Sequence, residues 1–155
     1  MGVERQYCTF TLDGQNFGVE VRKVQEVLRY QDMTAVPLAP SVVSGLINLR
    51  GQIVTAVDLR RRLVLPERRD GRHPMNIVVR TDDGALSLLV DSIGEVLLVD
   101  TETFEAPPET IAPQVRELLT GVCKLEDRLL LILDIDKAVD VGASGADARE
   151  PAYAG

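Results

Sequence analysis

The sequence contains no tryptophan and a single histidine, and aromatic residues make up only 4% of its 155 residues. Because hydrophobic residues still account for 45%, the core must be aliphatic and built from valine, leucine and isoleucine. The single histidine, His73, lies in a polar run between Arg68 and Pro74. This leaves no histidine in an ordered element for a Ser-His-Asp or Cys-His set.

Other signatures of catalysis are also absent from the sequence. It has no glycine-rich phosphate loop and no paired metal-ligand spacing, and its carboxylates are scattered. We therefore predict that the protein is not an enzyme, with no catalytic residues, no cofactor and no metal site.

Long apolar runs are missing too. No stretch approaches the roughly 20 apolar residues of a membrane span, and charged Glu4 and Arg5 directly precede the first predicted strand, which does not fit a signal peptide. Cysteine is limited to Cys8 and Cys123, both inside predicted strands. We expect two buried, reduced thiols in a cytoplasmic protein that does not insert into the membrane.

Positive charge is in deficit, with a formal net charge of −7 and an isoelectric point near 4.7. Such a balance disfavours general nucleic-acid binding. One feature points the other way, an arginine-rich run of Arg60, Arg61, Arg62, Arg68, Arg69 and Arg72. Without interleaved aromatic residues for base stacking, a small-barrel nucleic-acid-binding protein remains only an alternative hypothesis.

The most informative stretch runs from Gly45 to Leu63. Apolar and polar residues alternate along it with the period of a half-buried strand. Its length exceeds that of a usual strand, and Gly51 can supply a turn at its centre. We predict two short strands that fold back near Arg50 and Gly51, followed by a helical turn with Asp58 as its N-cap.

A second stretch repeats this pattern. Residues 121–139 match residues 45–63 at a constant offset of 76 residues, and residues 90–97 match residues 21–28 at an offset of 69. An Asp-Gly turn signal precedes both members of the latter pair, at Asp13 and Asp83. Because the matching segments occur in the same order in the two halves of the sequence, we predict an internal duplication.

Many short strands in two similar sets predict an all-β fold with short helices, built as two small β-barrels packed together. The globular part is expected to cover residues 7–139. The first barrel should lie mainly within residues 13–65, and the second mainly within 75–139, with or without the N-terminal strand. Whether the copies share strands stays open, and residues 141–155 are predicted to be a disordered tail.

The segment that follows the first hairpin differs between the two copies. Apolar residues of Val21–Tyr30 recur at helical spacing, which predicts a short helix. In the second copy, Gly94 and the run from Val96 to Val99 favour a strand instead. Further helical turns are predicted within residues 114–119 and 134–139.

Positions at which the two copies differ are the best guide to function. Leu49-Arg50-Gly51 becomes Leu125-Glu126-Asp127, a charge reversal at a predicted exposed hairpin tip. Arginine is enriched in protein interfaces, so Asn48, Arg50 and Gly51 become candidates, together with the polar face around Lys23 and Glu26. The alternative is that Arg50 merely pairs with a local carboxylate such as Asp58.

These residues also carry a family resemblance. The stretch Gly45–Gly51, followed by Val57–Arg60, closely resembles the hallmark of the CheW family, the adaptors of bacterial chemotaxis arrays. Residues 17–27 resemble the family's first helix, and residues 119–135 resemble its closing hairpin. The resemblance covers Tyr7–Val139.

The resemblance implies two SH3-like five-stranded β-barrels around a shared hydrophobic seam, and a non-enzymatic adaptor that couples methyl-accepting chemoreceptors to the histidine kinase CheA. It implies that the receptor's cytoplasmic tip docks in a groove between the barrels, and that the regulatory domain of CheA pairs with the first barrel. With the copy-specific residues, the predicted receptor- or partner-binding set is Val24, Glu26, Asn48, Arg50, Gly51 and Ile53.

Further expectations follow from the same resemblance. The protein should be cytoplasmic and recruited to membrane-associated receptor arrays, with no nucleic acid among its partners. CheW-like adaptors also serve other receptor-kinase systems, so a pathway of twitching or gliding motility remains an alternative.

Overall fold

The computed structural model describes residues 3–68 and 71–140. It contains β-strands β1 to β10 and short α-helices α1 to α3. The strands are Glu4–Leu12, Gln15–Glu20, Val24–Leu28, Val43–Leu49, Gln52–Asp58, Met75–Thr81, Gly84–Val90, Ser92–Asp100, Leu119–Lys124 and Leu129–Leu133. The helices are Leu59–Arg62, Pro113–Arg116 and Ile135–Val139, and 3-10 turns lie at Val21–Lys23 and Thr101–Thr103.

The strands form two five-stranded sheets. Sheet A has the order β8-β1-β2-β10-β9, and sheet B has the order β3-β6-β7-β5-β4. The predicted all-β class with short helices and two five-stranded units is thereby confirmed. The predicted disordered tail, residues 141–155, lies outside the described residues.

Each sheet combines strands from both copies. Sheet A joins the first hairpin, β1 and β2, to β8, β9 and β10 of the second copy, and sheet B joins β6 and β7 to β3, β4 and β5 of the first copy. The two orders become identical when the copies are exchanged. The sheets therefore depart from the expected division into residues 13–65 and 75–139, and the open question of strand sharing is answered.

The exchange is made through two parallel pairings. Strand β2 pairs in parallel with β10, and β5 pairs in parallel with β7. In each pairing, the second strand of one copy's first hairpin (β2 or β7) takes its parallel partner from the other copy. The chain crosses between the sheets at Val21–Lys23 and again at Asp91, which joins β7 to β8.

The helix predicted for Val21–Tyr30 is wrong. A 3-10 turn at Val21–Lys23 leads directly into β3, which pairs antiparallel with β6. A β-bulge between Val24 and Glu26 shifts the alternation by one residue, and this shift produces apolar spacing that resembles a helix. The strand predicted at the corresponding place in the second copy is present as β8.

The N-cap predicted for α1 is confirmed, and α3 has an equivalent cap. Asp58 caps α1 by accepting a hydrogen bond from the amide of Arg60, and Asp134 caps α3 by accepting one from the amide of Lys137. Each satisfies an amide that the first helical turn leaves without a partner. The equivalent position of the two aspartates in the two copies agrees with the predicted duplication.

Among the described residues, three clusters of buried side chains form the core. The largest is the seam between the sheets, which includes Phe10 and Phe17 stacked at 5.6 Å from sheet A, and Val57, Ile77 and Leu88 from sheet B. Each sheet also has a smaller cluster of its own. Cys8 and Cys123 are buried free thiols, as predicted.

Each barrel has one glycine at the point where a loop closes onto an edge strand. Gly45 lies where a β-carbon would approach the carbonyl oxygen of Thr34 to 2.7 Å, and Gly121 lies where one would approach the carbonyl oxygen of Glu105 to 3.1 Å. At both places an isolated antiparallel bridge ties a loop to an edge strand, from Thr34 to Leu46 and from Glu105 to Val122. The close approach of backbones therefore excludes a β-carbon at Gly45 without movement of the Thr34 loop, and it leaves little room for one at Gly121.

Two large aliphatic residues occupy backbone positions that normally select glycine. Leu38 has a φ of 66° and follows Pro37 in a turn closed by a hydrogen bond from the amide of Ala39 to Val36. This is the geometry of a type II turn, whose third residue is usually glycine. A side chain in the left-handed region costs about 1–2 kcal/mol.

Val64 has a φ of 57° at the end of α1. The amide of Val64 donates to Arg61, and the amide of Leu65 donates to Arg60, the pair of bonds of a Schellman motif. Glycine is the usual residue at the position that Val64 takes, and a β-branched residue there is a conformational outlier.

Candidate functional site

The tip of the β4–β5 hairpin is held in a defined conformation. Arg50 and Gly51 both have positive φ values, 50° and 90°, as a two-residue type I′ turn requires. The side chain of Asn48 supports the turn, because its Oδ1 accepts a hydrogen bond of 2.9 Å from the amide of Gly51. Asn48, Arg50 and Gly51 thus form one local unit, as the sequence predicted for the tip.

Arg50 is paired with Glu26. Its Nη2 donates to Oε2 of Glu26 on β3, and this hydrogen bond lowers the pKa of the Glu26 carboxyl below its usual value. The arginine side chain remains 68% exposed. The alternative that Arg50 pairs with a carboxylate such as Asp58 is wrong only in the partner, because Asp58 faces Arg61 and Arg68 at 3.7 and 3.9 Å while Glu26 takes the arginine.

The ion pair joins the two edges of sheet B. Strands β3 and β4 stand at opposite ends of the strand order, so the barrel must curve to bring Glu26 to the tip that follows β4. The Arg50 surface, which we define as Glu26, Asn48, Arg50, Gly51 and Ile53, is therefore created by closure of the barrel.

Ile53 adds an apolar contact to this surface. It stands opposite Asn48 in the β4–β5 register, and 60% of its surface is exposed. An exposed isoleucine beside an exposed arginine combines two features of protein interfaces. Val27 on β3 is also exposed, and sequence reasoning missed it because it had been counted in the apolar stripe of a helix.

Val24 is separated from the other predicted site residues. It is half-buried and packs against the seam, and its carbonyl oxygen accepts a hydrogen bond of 3.2 Å from Nη1 of Arg80. The structure therefore places Val24 against the seam and only partly exposed, on the strand that carries Glu26.

A concavity of about 430 Å³ opens beside the crossing between the two sheets. It is lined by Val3, Arg5, Gln6, Glu20, Val21 and Arg22. Next to it, Leu98 on β8 stands opposite Gln6, and Leu98 and Val96 are both exposed. Sequence reasoning missed this groove because it did not anticipate that a 3-10 turn carries the chain between sheets.

Most of the arginine-rich run is engaged in internal interactions. Arg60 donates to both carboxylate oxygens of Asp91, at 2.8 and 2.5 Å, and Arg68 donates to the same carboxylate at 3.1 Å. Arg62 donates to the carbonyl oxygens of Lys137 and Ala138 at the end of α3. Guanidinium groups held in this way do not form an open phosphate-binding patch, while Arg69 lies outside the described residues.

Chemistry at this surface is limited to ion pairing, hydrogen bonding and apolar contact. Among residues 3–68 and 71–140, no group of histidine, cysteine, aspartate or glutamate side chains is placed to hold a metal ion. Over the same residues, no helix is long and apolar enough to cross a membrane.

Comparison with known proteins gives consistent results. A family model described as the CheW-like domain matches residues 6–142. The chain is 30% identical to the chemotaxis protein CheW of Klebsiella aerogenes over 87% of this chain and 81% of that protein. It is also 30% identical to the chemotaxis protein CheW of Bacillus subtilis, over 87% of this chain and 86% of that protein.

A solved structure shows the same fold. The crystal structure of the scaffolding protein TtCheW from Thermoanaerobacter tengcongensis matches with a TM-score of 0.75 and 28% sequence identity. The match covers 84% of each chain.

Proposed function

The chain belongs to the CheW-like domain family, and from that premise we propose that it is a chemotaxis scaffold that couples methyl-accepting chemoreceptors to the histidine kinase CheA. Its task is binding rather than catalysis. Under this proposal it works in the cytoplasm and is recruited to receptor arrays at the membrane, where it holds two partners at once.

The Arg50 surface is the observation that carries the proposal. It presents an exposed guanidinium and an exposed isoleucine on a rigid turn, and a rigid turn loses little conformational entropy when a partner binds. The equivalent tip of the second copy has Glu126 and Asp127 in place of Arg50 and Gly51. The fold can therefore be built without this arginine, which supports a role in recognition.

The concavity beside the 3-10 turn at Val21–Lys23 offers a second binding surface. Its lining combines apolar Val3 and Val21 with a charged rim, where Arg5 and Glu20 lie 3.1 Å apart. We propose that the helical tip of a chemoreceptor docks there, since amphipathic helices bind in apolar grooves. The regulatory domain of CheA would pair with the barrel that carries the Arg50 surface.

Two modest interfaces are sufficient for such a scaffold. When many copies are linked in an array, the second binding event takes place at a high effective concentration. Individual interfaces in the micromolar range can then hold an assembly together.

A charge reversal tests the proposal. Arg50→Glu places a carboxylate beside Glu26 and should leave the fold intact, because the site is exposed, while lowering capture of CheA or of the receptor at least tenfold. Pull-down with the purified CheA regulatory domain and with a receptor-tip fragment measures both. Lys124→Glu is the matched control, since Lys124 is an exposed cation 3.6 Å from Glu105 in sheet A. If a folded Arg50→Glu protein captures both partners normally, the assigned role of Arg50 is refuted.

A further inference from the structure

A small polar pocket lies beside the end of β10, where the chain enters α3. Its volume is about 130 Å³, which is larger than the roughly 30 Å³ that one water molecule occupies in the liquid. The pocket therefore has room for the charged head of a lysine or arginine side chain. We name it the Tyr7 pocket, and its polar lining residues are Tyr7, Glu20, Lys23, Thr120, Asp134 and Asp136.

Tyr7 brings an unused hydroxyl to this pocket. The residue is only 2% exposed, and its ring is held edge-to-face against Phe104 with 5.8 Å between the ring centres. Among the described residues the hydroxyl has no hydrogen-bond partner, and it is not enclosed within the core, so it faces the pocket. Burial raises the pKa of Tyr7, and the neighbouring Glu20 raises it further. The neutral hydroxyl can donate and accept hydrogen bonds, and leaving it without a partner costs stability.

The carboxylates of the pocket differ in how far they are neutralised. Glu20 and Asp136 are ion-paired with basic residues at the pocket rim. Asp134 uses Oδ1 to cap α3, accepting a hydrogen bond of 3.2 Å from the amide of Lys137. No cation of the described chain lies within ion-pairing distance of the Asp134 carboxylate. The pocket therefore combines an uncompensated negative charge with an unpartnered hydroxyl.

The Tyr7 pocket is continuous with the proposed docking surface. Glu20 lines both the pocket and the concavity beside Val21. On the other side, Asp136 lines both the pocket and a concavity of about 490 Å³ whose further charged residues are Asp82, Asp83 and Asp140. Among the described residues that line this second concavity there is no lysine or arginine. The surface therefore becomes acidic in the direction that leads from Val21 past the Tyr7 pocket.

These features indicate which chemical group the pocket takes. Its carboxylates repel an anion, and within the described part of the chain no set of side chains is placed to hold a metal ion. A lysine ammonium or an arginine guanidinium carries only hydrogen-bond donors, which suit the Tyr7 hydroxyl and the Asp134 carboxylate together. Because the pocket adjoins the concavity assigned to a docked helix, that helix can supply the cation.

We propose that the Tyr7 pocket receives a lysine or arginine side chain of the chemoreceptor helix that docks beside Val21, an inference that rests on the proposed function. The cation donates hydrogen bonds to the Tyr7 hydroxyl and to Oδ2 of Asp134, and a bond to a charged group is stronger than one between neutral groups. The pocket thereby fixes the position of the helix along the concavity and selects receptors that carry a cation at that place.

Removal of the hydroxyl tests the pocket. Full-length Tyr7→Phe should bind a purified receptor-tip fragment about tenfold more weakly in titration calorimetry, the loss expected for one hydrogen bond to a charged group. Its thermal midpoint should equal or exceed that of the wild type, because the hydroxyl has no internal partner. Tyr30→Phe is the matched control, since Tyr30 stacks on His73 at 4.1 Å and does not line the pocket. It should bind like the wild type.

A double-mutant cycle identifies the cation. Asp134→Asn keeps the cap of α3, because asparagine caps helices as well as aspartate does, and it should also weaken binding about tenfold. Each lysine and arginine of the receptor fragment is then replaced singly by glutamine. One replacement should weaken binding to the wild type and should cause no further loss with Asp134→Asn. Asp127→Asn, which removes an exposed carboxylate at the other end of β10, should bind like the wild type.

The failure of this inference is distinguishable from the failure of the proposed function. A wild-type chain that does not bind the receptor fragment refutes receptor docking, and the occupant of the pocket with it. If the wild type binds while Tyr7→Phe and Asp134→Asn bind equally well, only the role of the pocket is refuted. A lower thermal midpoint for Tyr7→Phe would assign the hydroxyl to internal packing, and the absence of any replacement coupled to Asp134 would exclude a cation in the pocket.

Discussion

At the scale of single residues, one carboxylate connects several parts of the chain. Asp91 follows β7 and accepts hydrogen bonds from Arg60, from Arg68 and, at 2.8 Å, from the amide of Asp13. Burial raises the pKa of Asp91, but the hydrogen bonds from Arg60 and Asp13 outweigh that effect and hold its pKa below the usual value. The ionised form is therefore favoured in the folded protein.

Asp91→Asn should lower the free energy of unfolding by about 2–3 kcal/mol at pH 7, because Arg60 and Arg68 lose their charged partner. Since the folded pKa of Asp91 is depressed, its contribution is complete above about pH 4 and is lost as the pH falls through the folded value. Urea unfolding at pH 7 and pH 3 should show the difference between wild type and variant shrinking in acid. Glu105→Gln, at an exposed pair, should have little effect at either pH, and a constant Asp91→Asn effect across this range would contradict the assignment.

The pair of Glu26 and Arg50 gives a second residue-scale prediction. Glu26→Arg/Arg50→Glu keeps an ion pair across the edges of sheet B and should retain the thermal midpoint of the wild type. Partner capture should nevertheless stay as low as in Arg50→Glu, because recognition depends on which position carries the cation. Recovery of capture in the exchanged protein would show that the pair acts only as a structural link.

At the scale of elements, barrel closure depends on glycine. Gly45→Ala should cost about 2 kcal/mol, since the new β-carbon meets the backbone of the Thr34 loop at 2.7 Å and the loop must move. Gly121→Ala, with its nearest contact at 3.1 Å, is the matched substitution in the other copy and should cost less. Thermal unfolding of the two variants measures which substitution destabilises the protein more. Equal losses of stability would argue against this steric explanation.

The strands and helices also show which sequence signals are sufficient to predict local structure. The Asp-Gly turn at Asp13 and the cap at Asp58 depend on neighbours within a few residues, so the sequence indicates them directly. Strand β3 was mistaken for a helix because a bulge changed its apolar period. Its true partner, β6, is separated from it by about fifty residues of chain, and no local pattern reports that pairing.

At the scale of the whole molecule, the exchange of strands makes the halves interdependent. Residues 1–68 contain β1 and β2 without their neighbours β8 and β10. We expect fragments 1–68 and 71–155 to be unfolded as separate monomers and to regain β-sheet circular dichroism when mixed. A full-length chain cleaved between residues 68 and 71 should remain folded. A dispersed NMR spectrum from monomeric 1–68 alone would contradict this.

Contacts between distant parts of the chain also explain why the sequence could predict only part of the site. The turn chemistry of Asn48 and Gly51 is local, and the contrast with Glu126 identified Arg50 from the duplication alone. The partner of Arg50 is Glu26, 24 residues away, and the two meet only because the barrel closes. The concavity beside Val21 is lined by residues of β1, β2 and the 3-10 turn, so it could not be located while the apolar spacing of Val21–Tyr30 indicated a helix.

The parallel pairing of β2 with β10 has a consequence for synthesis on the ribosome. The first hairpin emerges early but cannot complete its sheet until Leu129–Leu133 has left the exit tunnel. During most of translation, Phe10 and Phe17 lack the second-copy strands that complete their side of the seam. Folding of the first sheet therefore waits for the second copy to be synthesised, and the nascent first half is the stage at which chaperone binding or aggregation would be expected.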